Sequence, residues 1–247
     1  TRYISVTGVQ TCALPISQDA PVKKSNYQPG ILSEHESKTL LKECGVPVSA
    51  DRLLPPLQVN AADVADVKFP VVLKIVSRDI PHKSEIGGVR LNLGNAEELA
   101  AAADEMLARV KAAAPEAKLD GLLVSPMISD GIETIVGVVN DSVFGPVVAF
   151  GLGGIFAETL KDVTYRLAPF DVDTARAMIA ELRAAPILAG VRGRPAADVD
   201  ALAQALVAVS TFAWQQRDSL EEMDINPLLV RPAGSGVVAV DALVRLR

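Results

Sequence analysis

The run "FPVVLKIV", Phe69 to Val76, has the length of a β-strand and is apolar except for one lysine at its centre. A continuous apolar run of this length reads as a strand covered on both faces. An ammonium inside such a strand is costly unless an anion compensates it. Strand alternation puts Val71, Leu73 and Ile75 on one face and Lys74 on the other, toward whatever lies over the sheet. The anion is either a protein carboxylate or a bound ligand, and the run alone leaves both open.

The next segment of chain narrows the choice. "IPHKSEIGGV", Ile80 to Val89, brings a histidine, a lysine and a serine ahead of paired glycines. Gly87 and Gly88 remove side chains, so successive amides can close on phosphate oxygens, while Lys83 and Ser84 add donors. The P-loop pattern GxxxxGK[ST] is absent. His82 alone reads as a surface or hydrogen-bonded histidine; beside phosphate donors it is a candidate nucleophile for a phosphoryl group.

Elsewhere the chain alternates helical and strand-like patterns. "SEHESKTLLKECG" predicts a helix with Ser33 as N-cap, Glu36 closing a capping box and Gly45 at the C′ position. "VPVSADRLL" reads as a short strand, "AADVADV" as a helical stretch and "NAEELAAAADEMLARVKAAA" as a long helix. Three strand-like runs, "GLLVSPMI", "TIVGVV" and "GPVVAFG", predict one antiparallel sheet. Two further helices, "DVDTARAMIAELRAA" and "AADVDALAQALVAVSTFAWQQR", precede a closing hairpin.

Two more places carry chemistry. In "FGLGGIFAETLKD" a strand runs into Gly153 and Gly154, where backbone can approach a ligand closely; Glu158 behind them could orient a histidine or a metal-bound water, or simply begin a helix. In the closing hairpin, Asn226 and Asp241 are symmetric about the midpoint between Ala233 and Gly234 in "RPAGSG". A regular hairpin sets them opposite each other with Cβ atoms about 5 Å apart. Two oxygen ligands at that spacing suit Mg²⁺, which completes its octahedron with water and phosphate. The alternative is a turn residue before Pro227 and a strand-end cap.

The 247 residues, 49% of them apolar, can bury a substantial core. With net charge −6, no basic stripe and few aromatics, nucleic-acid binding is excluded. No run has the roughly 18 apolar residues of a spanning helix, so no membrane role and a cytoplasmic location are expected. Two cysteines, Cys12 and Cys44, give neither a disulfide framework nor a zinc spacing. The segment "VTGVQTCALPI" back-translates into a sequencing-library adapter read in frame, so residues 1–16 are expected to be an assembly artefact. Residues 17–30 have the polar, Pro- and Gly-containing composition of a linker.

Taken in order, "LSEHESKTLLKECGVPV", "FPVVLKIVSRDIPHKSEIGGVRLNL", "VVNDSVFGPVVAFGLGGIFAETLKDV", "ILAGVRGRP" and "EEMDINPLLV…VVAVDALV" resemble the ATP-grasp domain of NDP-forming acyl-CoA synthetases. These are relatives of the succinyl-CoA synthetase β subunit, and the resemblance spans residues 31–247. It implies an α+β ATP-grasp fold whose two lobes clasp ATP, with Mg²⁺ and ATP as cofactors. Lys74 and Lys83 would hold phosphates, Gly87 and Gly88 would cover them, and Glu133, Gly153 and Gly154 would lie near them. Val124, Ser125 and Met127 would form the adenine hinge; Ser125 stands where an acidic or amide side chain is common, which leaves ATP against GTP open. Asn226 and Asp241 would ligate Mg²⁺, His82 would carry the phosphoryl group, and Asp224 and Glu158 would serve its docking and orientation. The implied reaction joins a carboxylate to CoA with ATP going to ADP and phosphate, through acyl phosphate and phosphohistidine. CoA-binding and ligase domains would be partners, upstream on the native chain or as an α subunit, in an oligomer when complete. The competing readings are a regulatory synthetase-like module of a protein acetyltransferase and a non-catalytic assembly subunit.

Overall fold

The computed structural model describes residues 27–80, 83–154, 162–191, 193 and 195–247. The expected artefact, residues 1–16, lies outside them. In chain order the elements begin with β1 (Gly30–Ile31), α1 (Glu34–Glu43), β2 (Arg52–Leu54), a 3-10 turn (Ala61–Val64), β3 (Val71–Val76) and β4 (Val89–Leu93). Helix α2 (Ala96–Ala113) leads to β5 (Gly121–Pro126), β6 (Ile132–Asp141), β7 (Gly145–Leu152) and β8 (Val163–Leu167). Then come α3 (Val172–Ala180), a second 3-10 turn (Ala185–Ala189), α4 (Val199–Gln215), β9 (Leu220–Val230), β10 (Val237–Ala239) and β11 (Ala242–Leu246). The expected α+β character is what the chain adopts.

The described residues form two compact units. One comprises Leu32–Glu36 and Ser49–Ser129; the other comprises the described residues up to Ile31, Ser37–Val48 and Asp130–Arg247.

Helix α1 has the ends its sequence predicts. The Glu36 amide donates to Ser33 Oγ at 3.3 Å, and the Ser33 amide and hydroxyl each donate to the Glu36 carboxylate at 2.8 Å. At the other end Val46 N–H reaches Leu41 O and Gly45 N–H reaches Lys42 O, with Gly45 at φ +86°. That pair of bonds is the Schellman closure, and the positive φ is why glycine stands there.

The smaller unit holds a four-stranded antiparallel sheet of order β2-β5-β3-β4. Val71, Leu73, Ile75, Leu122 and Val124 pack against Leu99, Ala102, Ala103, Met106 and Val110 of α2. The α2 positions recur at helical spacing, and each large side chain buried there contributes roughly 1.5–3 kcal/mol. The prediction of one sheet for three consecutive strands is corrected here: Gly121–Pro126 lies between β2 and β3, while β6 and β7 belong to the other unit. A strand with neighbours on both edges and cover on both faces needs an unbroken apolar run, and its first five residues are buried.

The larger unit is built on a seven-stranded sheet of order β1-β11-β9-β6-β7-β8, with β10 also paired to β9. Its inner face presents Val136, Val138, Val148, Phe150, Met223, Ile225, Ala242 and Val244, all buried, on the side where α3 and α4 pack. Alternation sends Gly137, Ala149, Glu222, Asp224 and Leu243 to the opposite face. The hairpin register is the predicted one: Val237, Val238 and Ala239 oppose Val230, Leu229 and Leu228, and the same phase continues into β11, where Ala242 opposes Ile225.

Candidate functional site

Lys74 projects from the face of β3 opposite the α2 core. Its Nζ donates to Glu34 Oε1 at 2.7 Å, and Lys83 Nζ donates to Glu34 Oε2 at 2.5 Å. The Glu34 side chain is 1% exposed, against 7% and 15% for the two lysines. Among the described residues a counter-ion of Lys74 is therefore a carboxylate that it shares with Lys83. Helix geometry explains the choice of acid: Glu36 is engaged by the cap, whereas Glu34, at the start of α1, is placed where the helix N-terminus favours negative charge. Two ammoniums meet at one carboxylate, and ammoniums are the donors a polyphosphate needs.

The glycine turn behind it is fixed by sterics. A Cβ on Gly88 would stand 2.7 Å from Ile75 Cδ1 and 2.9 Å from the Lys83 carbonyl oxygen, and Gly87 has φ +72°. Gly87 N–H bonds to Ser84 O at 3.2 Å and Gly88 N–H to Lys83 O at 2.7 Å. The expectation that these two amides are themselves open to phosphate is thus corrected: the turn uses both. In the hinge strand β5, the Val124 side chain belongs to the α2 core, Met127 N–H bonds to Pro70 O at 3.0 Å, and Ser125 opposes Val72 on the Lys74 face. Ser125 is 1% exposed and its Oγ has no hydrogen-bond partner among the described residues. His82 lies outside the described residues.

In the larger unit the hairpin brings Asn226 and Asp241 opposite each other, with Asn226 N–H donating to Asp241 O at 3.2 Å. Pro227, beside Asn226 in a strand with neighbours on both sides, has no N–H for the ladder. The sheet accommodates it by a bulge: Thr134 opposes Leu228 and Val136 opposes Ile225, so Ile135 alone spans Asn226 and Pro227. On the far side Val240 N–H bonds to Pro227 O at 3.0 Å, which keeps the hairpin in phase.

Asp224 shares this face with Glu222 and Asp241. It reaches solvent, yet desolvation by the surrounding protein, then the like charges of Asp241 and Glu222, push its carboxyl up to about 6. An amide oxygen and a carboxylate in one register pair, on an acid-rich face, fit Mg²⁺, which takes few protein ligands and keeps the rest of its shell for water and phosphate. Glu133 stands against the glycine turn: Gly153 N–H donates to Glu133 O at 2.7 Å, and a Cβ on Gly153 would come within 3.0 Å of Glu133 Cβ. Gly154, at φ +61°, lies beside the same carboxylate. Glu158 lies outside the described residues.

Each unit thus gathers its own members of the expected set: Lys74, Lys83 and Ser125 in one; Asn226, Asp241 and Asp224, with Glu133 beside Gly153 and Gly154, in the other. Glu34 was missed by sequence reasoning. The signal was available: a lysine interrupting an apolar strand requires an acid, and the capping box already engages Glu36.

Residues 24–246 match the ATP-grasp domain family. The chain is 41% identical over 214 residues to the β subunit of an ADP-forming acetate–CoA ligase II of Pyrococcus furiosus, covering 87% of this chain and 91% of that subunit. It is 44% identical over 180 residues to the ADP-forming acetate–CoA ligase I of Archaeoglobus fulgidus, where the match spans 72% of this chain and 26% of that protein. Acetyl-coenzyme A synthetase 1 of Ca. Korarchaeum cryptofilum, solved with coenzyme A and Ca-AMPCP, superposes with TM-score 0.82 at 38% identity, covering 88% of this chain and 94% of that one. Another structure of that synthetase, with TM-score 0.75 at 36% identity and coverage of 88% and 93%, holds Mg-AMPPCP with its phosphohistidine segment pointing towards the nucleotide binding site. The chain belongs to the ATP-grasp family, among the β subunits and equivalent domains of ADP-forming acetate–CoA ligases.

Proposed function

We propose that this chain is the nucleotide-binding part of an ADP-forming acyl-CoA synthetase, which binds Mg·ATP and exchanges its γ-phosphoryl group with His82. The observation that carries this reading is the pair of ammoniums, Lys74 and Lys83, converging on one buried carboxylate beside the sequence position of that histidine. Phosphoryl transfer asks the protein mainly for positioning and for neutralisation of charge. The bond from the γ-phosphorus to the β–γ bridging oxygen breaks, a bond to an imidazole nitrogen of His82 forms, and ADP leaves. The two lysines would meet the phosphate oxygens. Asn226 and Asp241 would hold Mg²⁺, which when bound draws negative charge from the phosphates.

Acyl phosphate formation and its thiolysis by CoA belong to further domains. The P. furiosus relative is a separate subunit and the A. fulgidus relative a longer chain, so both arrangements occur among relatives. Incubation with Mg·[γ-³²P]ATP, with the CoA-binding and ligase domains supplied, is expected to give acid-labile, alkali-stable phosphate on the wild type and none on His82→Ala. Absence of label on the wild type refutes the catalytic reading in favour of a regulatory or assembly role; equal labelling of His82→Ala refutes the residue assignment.

A further inference from the structure

Glu34 is an acid in the middle of an anion site, and phosphate chemistry gives no reason for its presence. Its carboxylate is buried and shared, one oxygen to Lys74 and the other to Lys83. Three separate pieces of chain meet there: the first residue of α1, the centre of β3, and the start of the turn that ends at Gly88. Without Glu34, two ammoniums on adjoining segments would face each other in a largely dry place and repel. The long Lys83 side chain would then lose the contact that fixes it.

We infer that Glu34 is a positioning residue for phosphoryl transfer: it holds Lys74 and Lys83 side by side, and through Lys83 it fixes the chain immediately after His82. This rests on the Mg·ATP reading. An ammonium carries three donors, so a contact with Glu34 and one with phosphate are compatible. The function is distinct from ATP affinity, because the clamp orients the acceptor side of the reaction as much as the nucleotide.

The test uses the full chain with Glu34→Gln, which keeps the shape and removes the charge, Glu34→Asp, which keeps the charge and shortens the reach, and Lys83→Met. In single turnover at saturating Mg·ATP, Glu34→Gln is expected to slow phosphohistidine formation by about tenfold or more, the usual consequence of a misplaced reacting group, with a smaller change in the Mg·ATP dissociation constant. Adding Glu34→Gln to Lys83→Met is expected to cost less than the product of the two single losses, since the Glu34–Lys83 contact is counted in both. A wild-type transfer rate in Glu34→Gln, or full multiplication of the two losses, overturns the proposal. If Glu34→Gln does not fold, Glu34→Asp serves, and wild-type transfer in that variant has the same meaning.

A readout independent of turnover is reductive methylation followed by peptide mass spectrometry. Lys83 is expected to react more slowly than Lys118, whose side chain is 84% exposed, and to approach it in Glu34→Gln. Unchanged protection of Lys83 in Glu34→Gln refutes the clamp. A wild type that shows the protection but takes no label from ATP refutes the proposed function instead.

Discussion

Asp198→Ala removes three hydrogen bonds at once. Asp198 caps α4 by accepting the Ala201 amide at 3.1 Å, and its other oxygen accepts the Gly234 and Gly236 amides at 2.9 Å each. The first bond starts a helix; the other two hold the turn of the hairpin that carries Asn226 and Asp241. Loss of an N-cap costs about 1 kcal/mol. Bonds to a charged acceptor are worth about 1.5–3 kcal/mol each, and solvent around this half-exposed carboxylate lowers that to about 1 kcal/mol. The sum is about 3 kcal/mol, a fall in Tm of roughly 6–12 °C for a chain of this size. Asp198→Asn keeps a cap and an acceptor and is expected to lose about 1 kcal/mol or less. The assay is urea unfolding followed by Trp214, the single tryptophan of the chain, which lies in α4. Bonds from Gly236, then Ala201 and Gly234, hold the Asp198 carboxyl below its ordinary value. Its contribution is therefore fully present above the unfolded-state value of about 3.9 and is lost as pH falls through the lower folded value. Asp198→Asn should flatten that acid limb. A cost below about 0.5 kcal/mol for Asp198→Ala, the range of an ordinary surface change, or equal damage from Asn and Ala, would refute this account of the turn.

Gly88→Ala is expected to destabilise by about 1–3 kcal/mol through collision with buried Ile75 and the Lys83 carbonyl, while Gly94→Ala, whose Cβ would meet the end of the Glu98 side chain no closer than 3.4 Å, should stay within about 0.5 kcal/mol; chemical denaturation of both checks it. In the metal-free chain a carboxylate ¹³C titration should find Asp224 near 6, and Asp241→Asn should lower it. Because this pKa is raised, Asp224 favours the folded state fully below the unfolded value of about 3.9 and progressively less as pH climbs through 6. Mg²⁺ added to the wild type should also lower it, and indifference to both Mg²⁺ and Asp241→Asn would remove the case for a cation on this face.

Local rules were the most legible part of the sequence. Ser33, Glu36 and Gly45 each declare a helix end through one donor, one acceptor or one φ angle, and the structure forms those bonds. The phase of Asn226 against Asp241 was readable because a hairpin register is an arithmetic property of its turn. The placement of β5 was not readable, because a fully apolar run states that it is covered and not by which neighbours. Glu34 escaped for a related reason. Its partners Lys74 and Lys83 lie far along the chain, and an acid in a first helical turn already has a local explanation. No helix among the described residues is long and apolar enough to cross a membrane, in keeping with the apolar run lengths.

The shared phase of β9 with β10 and β11 has a consequence for how such a protein can vary. Side chains along an extended chain alternate in direction, so lengthening or shortening the Arg231–Gly236 connection by one residue would turn Asp241 to the helix side while Asn226 stayed in place. A single inserted codon would separate the two oxygen donors unless the turn bulged to absorb it. Length, more than composition, is what inheritance must keep there.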